Sequence, residues 1–219
     1  MEAVTKASEK TPGPEDSQPQ DGGAKRRQVL DGARTVFLSD GFDGASMNDI
    51  ARVAGVSKGT LYVYFESKEA LFEALIREDR QQQAERLISA DDDAKTAREF
   101  LEVYGRRFLE TMTRPDLLAQ SRMVISAIAK FPRFGPVFFE AGPQFGLRRL
   151  EARLKAFVDA GELDIVDVEL ATRQFAELCK AGIFHRAIFC LDSHPTTEDI
   201  ERTITGAVGV FMAAYGPKR

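Results

Sequence analysis

The 219-residue chain carries 30 Lys and Arg against 34 Asp and Glu, a net charge of −4 that argues against a uniformly basic nucleic-acid-binding surface. It is long enough for one large or two modest domains with an ample core. It has no apolar run of about eighteen residues and no apolar signal stretch behind Met1, so it reads as a cytoplasmic protein without a membrane partner.

Residues 1–24 (MEAVTKASEKTPGPEDSQPQDGGA) are rich in Pro, Gly, Ser, Glu and Gln and lack aromatics. Such a segment cannot bury enough apolar surface to order itself, and a disordered tail is expected. Lys25-Arg26-Arg27 marks its end, either as a basic arm or as a solvated helix start. An apolar-periodic helix follows, running to Gly41-Phe42.

Ser46 to Lys68 reads SMNDIARVAGVSKGTLYVYFESK, two short helices at a glycine turn. Ser46 and Asp49 have capping-box spacing, and the acid suits the positive end of a helix. Ile50, Ala51 and Ala54 share one face. Gly55 supplies the positive φ that ends the first helix, Val56 plugs the corner, and Ser57 is a natural N-cap for the next. At 100° per residue, Leu61 and Phe65 point to a core, while Gly59, Thr60 and Val63 point outward. Lys58 and Tyr62 form one flank and Tyr64 the other. This is groove chemistry: Val63 suits a thymine methyl, and the hydroxyls suit bases or phosphates. A solvated helical hairpin packed on another domain is the competing reading; the outward Thr60, Val63 and Tyr64 beside Lys58 and Lys68 favour a helix-turn-helix.

With the preceding RRQVLDGARTVFLSDGF (Arg26 to Phe42), this stretch resembles the DNA-binding domain of tetracycline-repressor-like (TetR family) regulators. The matching pieces are Gly41-Phe42, Ser46, Ile50-Ala51, Ala54-Gly55-Val56, Thr60-Leu61-Tyr62, Tyr64-Phe65 and Lys68-Glu69-Ala70-Leu71. The resemblance implies double-stranded DNA as partner, bound in the major groove. It implies DNA contacts at the positions of Lys58, Gly59, Thr60, Tyr62 and Tyr64, a phosphate contact at Lys68, and contacts at Ser46 and Asn48. Ser57 and Val63 complete the candidate DNA-binding set. Charge agrees, since residues 25–68 carry a net +2 and the remainder −6. A mildly basic head on an acidic body predicts modest non-specific affinity and a shallow salt slope.

Ser67 caps a long helix carrying Leu71, Phe72, Leu75 and Ile76, expected to reach about Ser89 and to join head to body. Asp91-Asp92-Asp93 reads as a solvated loop rather than a metal site, because consecutive acids diverge on any regular backbone. Apolar-periodic helices follow without a convincing strand. One runs from Phe100 to Met112 and breaks near Arg114-Pro115; the next carries Met123, Val124, Ala127 and Ile128. Pro132, Pro136 and Pro143 then allow only short helices, and Leu147 to Phe157 lead to a turn at Gly161. Two closing helices are expected, about 167–190 and 197–215. In the last, Gly206, Gly209 and Ala213 beside the Ile204, Val208, Phe211 and Met212 stripe suit close approach. The preceding one is apolar over much of its circumference, as burial on several sides requires. In the resembled family these two helices form a four-helix dimer bundle, so a homodimer and a pseudo-palindromic operator are expected.

Sixteen Phe and no Trp suit an adaptable apolar cavity. The candidates for its lining are Tyr104, Phe108, Met112, Met123, Ile128, Phe138, Phe139, Phe145, Phe175, Cys179 and Phe184; each is also an ordinary core position. The segment after Phe131 is similar to an efflux-regulator-type (AefR-like) subgroup. The resemblance implies a repressor released from its operator by a small hydrophobic effector. A ligand-independent architectural or cell-division DNA binder of the same fold is the alternative.

An enzyme is not expected. His185 and His194 are the only histidines, and His185 reads as a core or interface residue. Cys179, His185 and Cys190 scatter around a helix rather than converge on a metal, and the two cysteines lie about 16 Å apart along it, too far for a disulfide. There is no Gly-rich phosphate loop, nucleophile elbow or HExxH, so no cofactor or metal is expected. The predicted fold is all-α: a tail over 1–24, a three-helix helix-turn-helix head over 25–70, and a helical ligand-binding and dimerisation body over 71–219.

Overall fold

The computed structural model describes residues 20–88, 94–191 and 195–217, and among them every regular element is a helix. In order these are α1 (Gln20–Gly44), α2 (Met47–Ala54), α3 (Lys58–Tyr64), α4 (Lys68–Ile88), α5 (Ala97–Met112) and α6 (Pro115–Ile128). Then come α7 (Phe134–Ala141), α8 (Pro143–Asp159), α9 (Val168–Lys180), α10 (Ile183–Ile188) and α11 (Thr197–Tyr215). Residues 1–19, Asp91-Asp92-Asp93 and His194 lie outside the described residues.

Local chemistry sets most of the boundaries. Ser46, Ser57, Thr96, Asp167 and Thr196 each accept the backbone N–H three residues on, so the start of each helix they precede is satisfied by its own cap. Ser67 does the same for Ala70 at the head of α4. Pro115 and Pro143 open α6 and α8, where a missing N–H costs nothing.

Two expectations shift. α1 starts at Gln20, five residues inside the segment expected to be disordered. Gly22 and Gly23 are poor helix formers, yet a turn added to an existing helix escapes the nucleation cost. The single helix expected over 167–190 is two, α9 and α10, separated at Ala181-Gly182, where Gly182 takes φ 83°. An uninterrupted apolar pattern hides that break. Cys190 therefore lies beyond α10, exposed, at φ 58°. Cys179 is wholly buried, and burial pushes its thiol up to about 12. His185 is exposed on α10, not part of this chain's core.

The apolar interior forms two main bodies. The first fills the head with Phe37, Ile50, Leu61, Leu71 and Phe72 but does not close at residue 70: Met123, Val124 and Ala127 of α6 and Phe134 and Val137 of α7 belong to it. Its centre is a knot of phenylalanines. Phe42 meets Phe72, Phe131 and Phe134 at ring-centroid distances of 4.9, 4.8 and 5.1 Å, and Phe72 meets Phe134 at 4.7 Å. The second body packs α5, α8, α9 and α11 around Phe100, Leu101, Leu150, Leu154, Phe175 and Phe211.

A polar junction runs beside the first body. Arg34 of α1 donates to Asp79 of α4 through Nε (3.1 Å to Oδ1) and Nη2 (2.6 Å to Oδ1), and Gln120 of α6 donates to the same carboxylate at 2.8 Å. Next to it, Arg80 donates to Ser121 and lies 3.9 Å from the Phe138 ring centroid. Burial pulls Arg80 down to about 10 against the opposing pull of the Asp79 charge.

Candidate DNA-binding interface

α2 and α3 are held at a turn made by one residue. Gly55 sits at φ 65°, ψ 34°, and its N–H returns to the carbonyls of Ala51 and Arg52. Val56 N–H also reaches Ala51 O at 3.0 Å, and the Val56 side chain packs on the head core. Two α1 residues that sequence reasoning missed lock this turn from behind. Gln28 Nε2 donates to Ala54 O at 2.7 Å, satisfying a carbonyl at the end of α2. Gly32 lets α1 lie directly on α2, since a Cβ there would stand 2.6 Å from Ala54 Cβ and 2.7 Å from Ala54 Cα and N. A helical glycine facing the Ala54-Gly55 corner was the only signal available.

α3 is anchored on one face and open on the other. Leu61 is fully buried and Phe65 nearly so, whereas Val63 is 80 % exposed and Tyr62 44 %. Ser57, Lys58 and Gly59 are exposed and Thr60 is half-buried. Lys58 Nζ lies 5.9 Å from the Tyr62 ring centroid. Tyr64, expected on the outer flank, is half-buried and packs against the head core, so only part of its ring faces out.

Several candidate hydroxyls and charges already have partners. Ser46 Oγ accepts Asp49 N–H and donates to Asp49 Oδ2 at 2.5 Å; that bond, followed by Arg52, holds the Asp49 carboxyl below its ordinary range. Ser57 Oγ accepts Thr60 N–H at 3.0 Å and shares a 2.8 Å hydroxyl contact with Thr60. Asn48 is exposed at the start of α2. Lys68 Nζ donates to Phe42 O at 2.8 Å and Ala45 O at 2.9 Å and sits 4.6 Å from the Phe42 ring centroid. Two of its three protons thus close the α1–α2 connection, leaving one for a phosphate.

The residues expected to line one effector cavity are not brought together. Met123 is buried in the first core, with Ile128 and Phe138 packed against it. A small cavity of about 10 Å³ lies there beside Arg80, Gln120, Met123 and Phe138. Tyr104, Phe108, Phe175 and Cys179 belong to the second core, Phe184 packs with Leu118, Ala187 and Ile188, and Met112 is half-buried at the end of α5. Phe139 and Phe145 are half-exposed. Periodicity identifies buried faces but not which faces meet.

Comparison with known proteins agrees with this geometry. Residues 29–75 match the model of the tetR family of bacterial regulatory proteins, and residues 99–217 match the C-terminal domain of AefR-like transcriptional repressors. The chain belongs to the TetR family. Its head is similar to that of the transcriptional repressor Rv1474c of Mycobacterium tuberculosis, 44 % identical over 28 % of this chain and 33 % of that protein. It is also similar to the regulator UidR of Escherichia coli, 45 % identical over 26 % of this chain and 29 % of that one. The chain thus matches about a third of the length of these curated relatives. Two solved structures are similar throughout. A TetR-family regulator from Mesorhizobium loti covers 90 % of this chain and all of its own, with TM-score 0.82 and 26 % identity. The flavonoid-responsive regulator FrrA has the same coverage, TM-score 0.80 and 32 % identity. Among the described residues no helix is long and apolar enough to cross a membrane.

Proposed function

We propose that this TetR-family chain is a homodimeric repressor of transcription whose paired α3 helices enter successive major grooves of a pseudo-palindromic operator, and which a small hydrophobic effector releases. The observation that carries the DNA reading is Val63, 80 % exposed on a helix whose opposite face holds the fully buried Leu61. A lone exposed valine is ordinary. Here it stands between Tyr62, Lys58 and Gly59, a set that suits a thymine methyl, base-edge hydrogen bonds and phosphate at close backbone range.

The dimer reading is supported by the outer faces of α9 and α11. Ile204, Ala207, Val208 and Phe211 turn inward, which leaves Gly206, Gly209, Val210 and Ala213 on an open face of α11, and Leu170 on α9 is itself 46 % exposed. The groove between the two helices has a volume of about 670 Å³ and is lined by Leu178, Val210, Phe211 and Ala214, among others. Small residues next to apolar ones suit a second copy packed closely about a two-fold axis. A head with net charge +2 binds feebly alone, and pairing supplies the rest.

The effector reading is supported by FrrA, whose name describes a flavonoid response, and by the interior shared between the head and α6–α7. An effector acts by preferring one arrangement of the heads, and a typical coupling of ~1–3 kcal/mol changes DNA affinity about 5–150-fold. The test selects genomic fragments with the purified protein and compares Val63→Asp with wild type on them, sizing both by sedimentation. The variant is expected to remain folded and dimeric and to lose at least about tenfold in affinity for its selected sites. Unchanged binding would remove α3 as the reading helix.

A further inference from the structure

We infer that the seam between α5 and α8 holds the anionic group of a small apolar effector, with Arg107 and Arg153 as its hydrogen-bond donors. This rests on the effector reading above and gives that effector a chemical class. Arg107 Nη1 and Arg153 Nε are buried and have no hydrogen-bond partner. Native proteins rarely leave buried donors unmatched, and each exception calls for an explanation such as a missing ion. Among the described residues, neither guanidinium is held in an ion pair, although Arg106, next in sequence, is paired with Glu201 at 2.5 Å.

Both orphans belong to one seam. Phe100, Tyr104 and Arg107 fall at helical spacing on a single face of α5, and Gly146, Leu150, Arg153 and Phe157 do the same on α8. The two faces meet in antiparallel order: Arg153 lies 5.0 Å from the Phe100 ring centroid, and Tyr104 donates to Gly146 O at 3.4 Å. Arg107 stands one turn beyond Tyr104, about 10 Å along α5 from Phe100. The seam therefore carries one guanidinium on each side of Tyr104. Its walls are aromatic, with Phe100 and Tyr104 stacked at 5.6 Å and Tyr104 and Phe108 at 6.1 Å.

There is also room. Gly146 is on the inward stripe of α8, yet a Cβ built there meets nothing within 4 Å. Aromatic walls, open space at a glycine and two cationic donors suit an apolar body with one carboxylate or ionised phenol. A charge-assisted bond to guanidinium is among the stronger hydrogen bonds, and a neutral amide of the same shape forgoes it.

The test is calorimetric titration of the full-length protein with two matched pairs, 2-naphthoate against 2-naphthamide and decanoate against decanamide. Each compound is also assayed for release of a selected operator fragment. Wild type is expected to bind the carboxylates about 10- to 100-fold more tightly than the amides. Arg107→Met and Arg153→Met should bring the carboxylates down to the amide level and leave amide binding unchanged. Gly146→Leu, which fills the space and strengthens the helix, should weaken both. Free Arg107→Met should melt no lower than wild type, because it removes a cation without a partner. Equal binding of acid and amide, a preference that survives both methionine variants, or a marked fall in the melting temperature of Arg107→Met would each overturn the proposal. Amides that bind and release DNA as well as the acids overturn the anion site and leave the effector reading standing. Failure of all four to bind overturns the site, and operator binding that no apolar compound relieves counts against the effector reading itself.

Discussion

The junction of head and body offers a perturbation whose size follows from the structure. Asp79 is 7 % exposed and accepts from Arg34 on one side and Gln120 on the other. Arg34→Met removes the bidentate donor while leaving the arginine's stem volume roughly filled. Breaking one partner of a buried pair costs about 3–5 kcal/mol, because the remaining charge is stranded. The Arg34 side chain is 27 % exposed and Gln120 keeps its bond, so the low end applies, about 3 kcal/mol. For a chain of this size that lowers Tm by roughly 6–12 °C. The hydrogen bond to Asp79 is the main reason Arg34 is held still further above its already high ordinary pKa. A raised cation contributes fully below its unfolded pKa and loses that contribution only as pH rises through the folded one, so the deficit should be constant from about pH 6 to 9. The assay is thermal unfolding of wild type, Arg34→Met, Asp79→Leu and the double variant. The double should recover part of the loss, since no charge is then stranded. A single-variant loss under about 1 kcal/mol, or a double equal to the sum of the singles, would refute the reasoning.

Gly32→Val should destabilise the head by about 2–3 kcal/mol through overpacking, because the atoms it meets on Ala54 include backbone; unchanged melting would mean that α1 and α2 can separate freely. Lys68→Met should weaken binding to every DNA sequence, operator or not, and lower head stability by about 2 kcal/mol through the lost carbonyl bonds. Weaker binding at unchanged stability, read by melting and by anisotropy on two unrelated duplexes, would instead assign Lys68 to phosphate alone.

What could be read from the sequence and what could not differ in range. Ser46-Asp49, Gly55 and Ser57 act on neighbours three or four residues away, so caps, turn and the Leu61/Val63 facing of α3 followed directly from spacing. The open face of α3 was legible for the same reason. Tyr64 was not, because its burial depends on what α1 and α4 put beside it. Arg34 and Asp79 are 45 residues apart and Gln120 another 41 beyond, and in a chain with 30 basic and 34 acidic residues nothing marks them as partners. The pattern does not mark Gly182, because Leu178, Ile183 and Phe184 continue the apolar run across it, and its φ of 83° shows the break. The effector candidates fall in more than one packed cluster for a related reason: a buried face records that something covers it, not which other face does.

The phenylalanine knot changes where communication between body and head has to pass. The sequence points to α4, which is covalently continuous with the head. The structure adds α7 and its approach, which touch the head without the chain: Phe131 and Phe134 pack on Phe42 of α1, and Phe134 also packs on Phe72 of α4. Aromatic pairs contribute about 0.5–1.5 kcal/mol each beyond their buried area, so these three contacts hold roughly 2–4 kcal/mol that depends on where α7 sits relative to the head. That equals or exceeds a typical allosteric coupling of ~1–3 kcal/mol. Gly41 bends α1 just before Phe42, at φ 71°, ψ 175°, and a shift of α7 cannot leave that kink where it was without giving up most of that energy. Lys68 is bonded to the carbonyls of Phe42 and Ala45, immediately before α2. The chain of contacts from α7 to the residues before α2 is short and mostly aromatic, with the Lys130–Asp43 and Arg133–Glu73 ion pairs beside it, and it ends at Lys68, the lysine that the family resemblance assigns to phosphate.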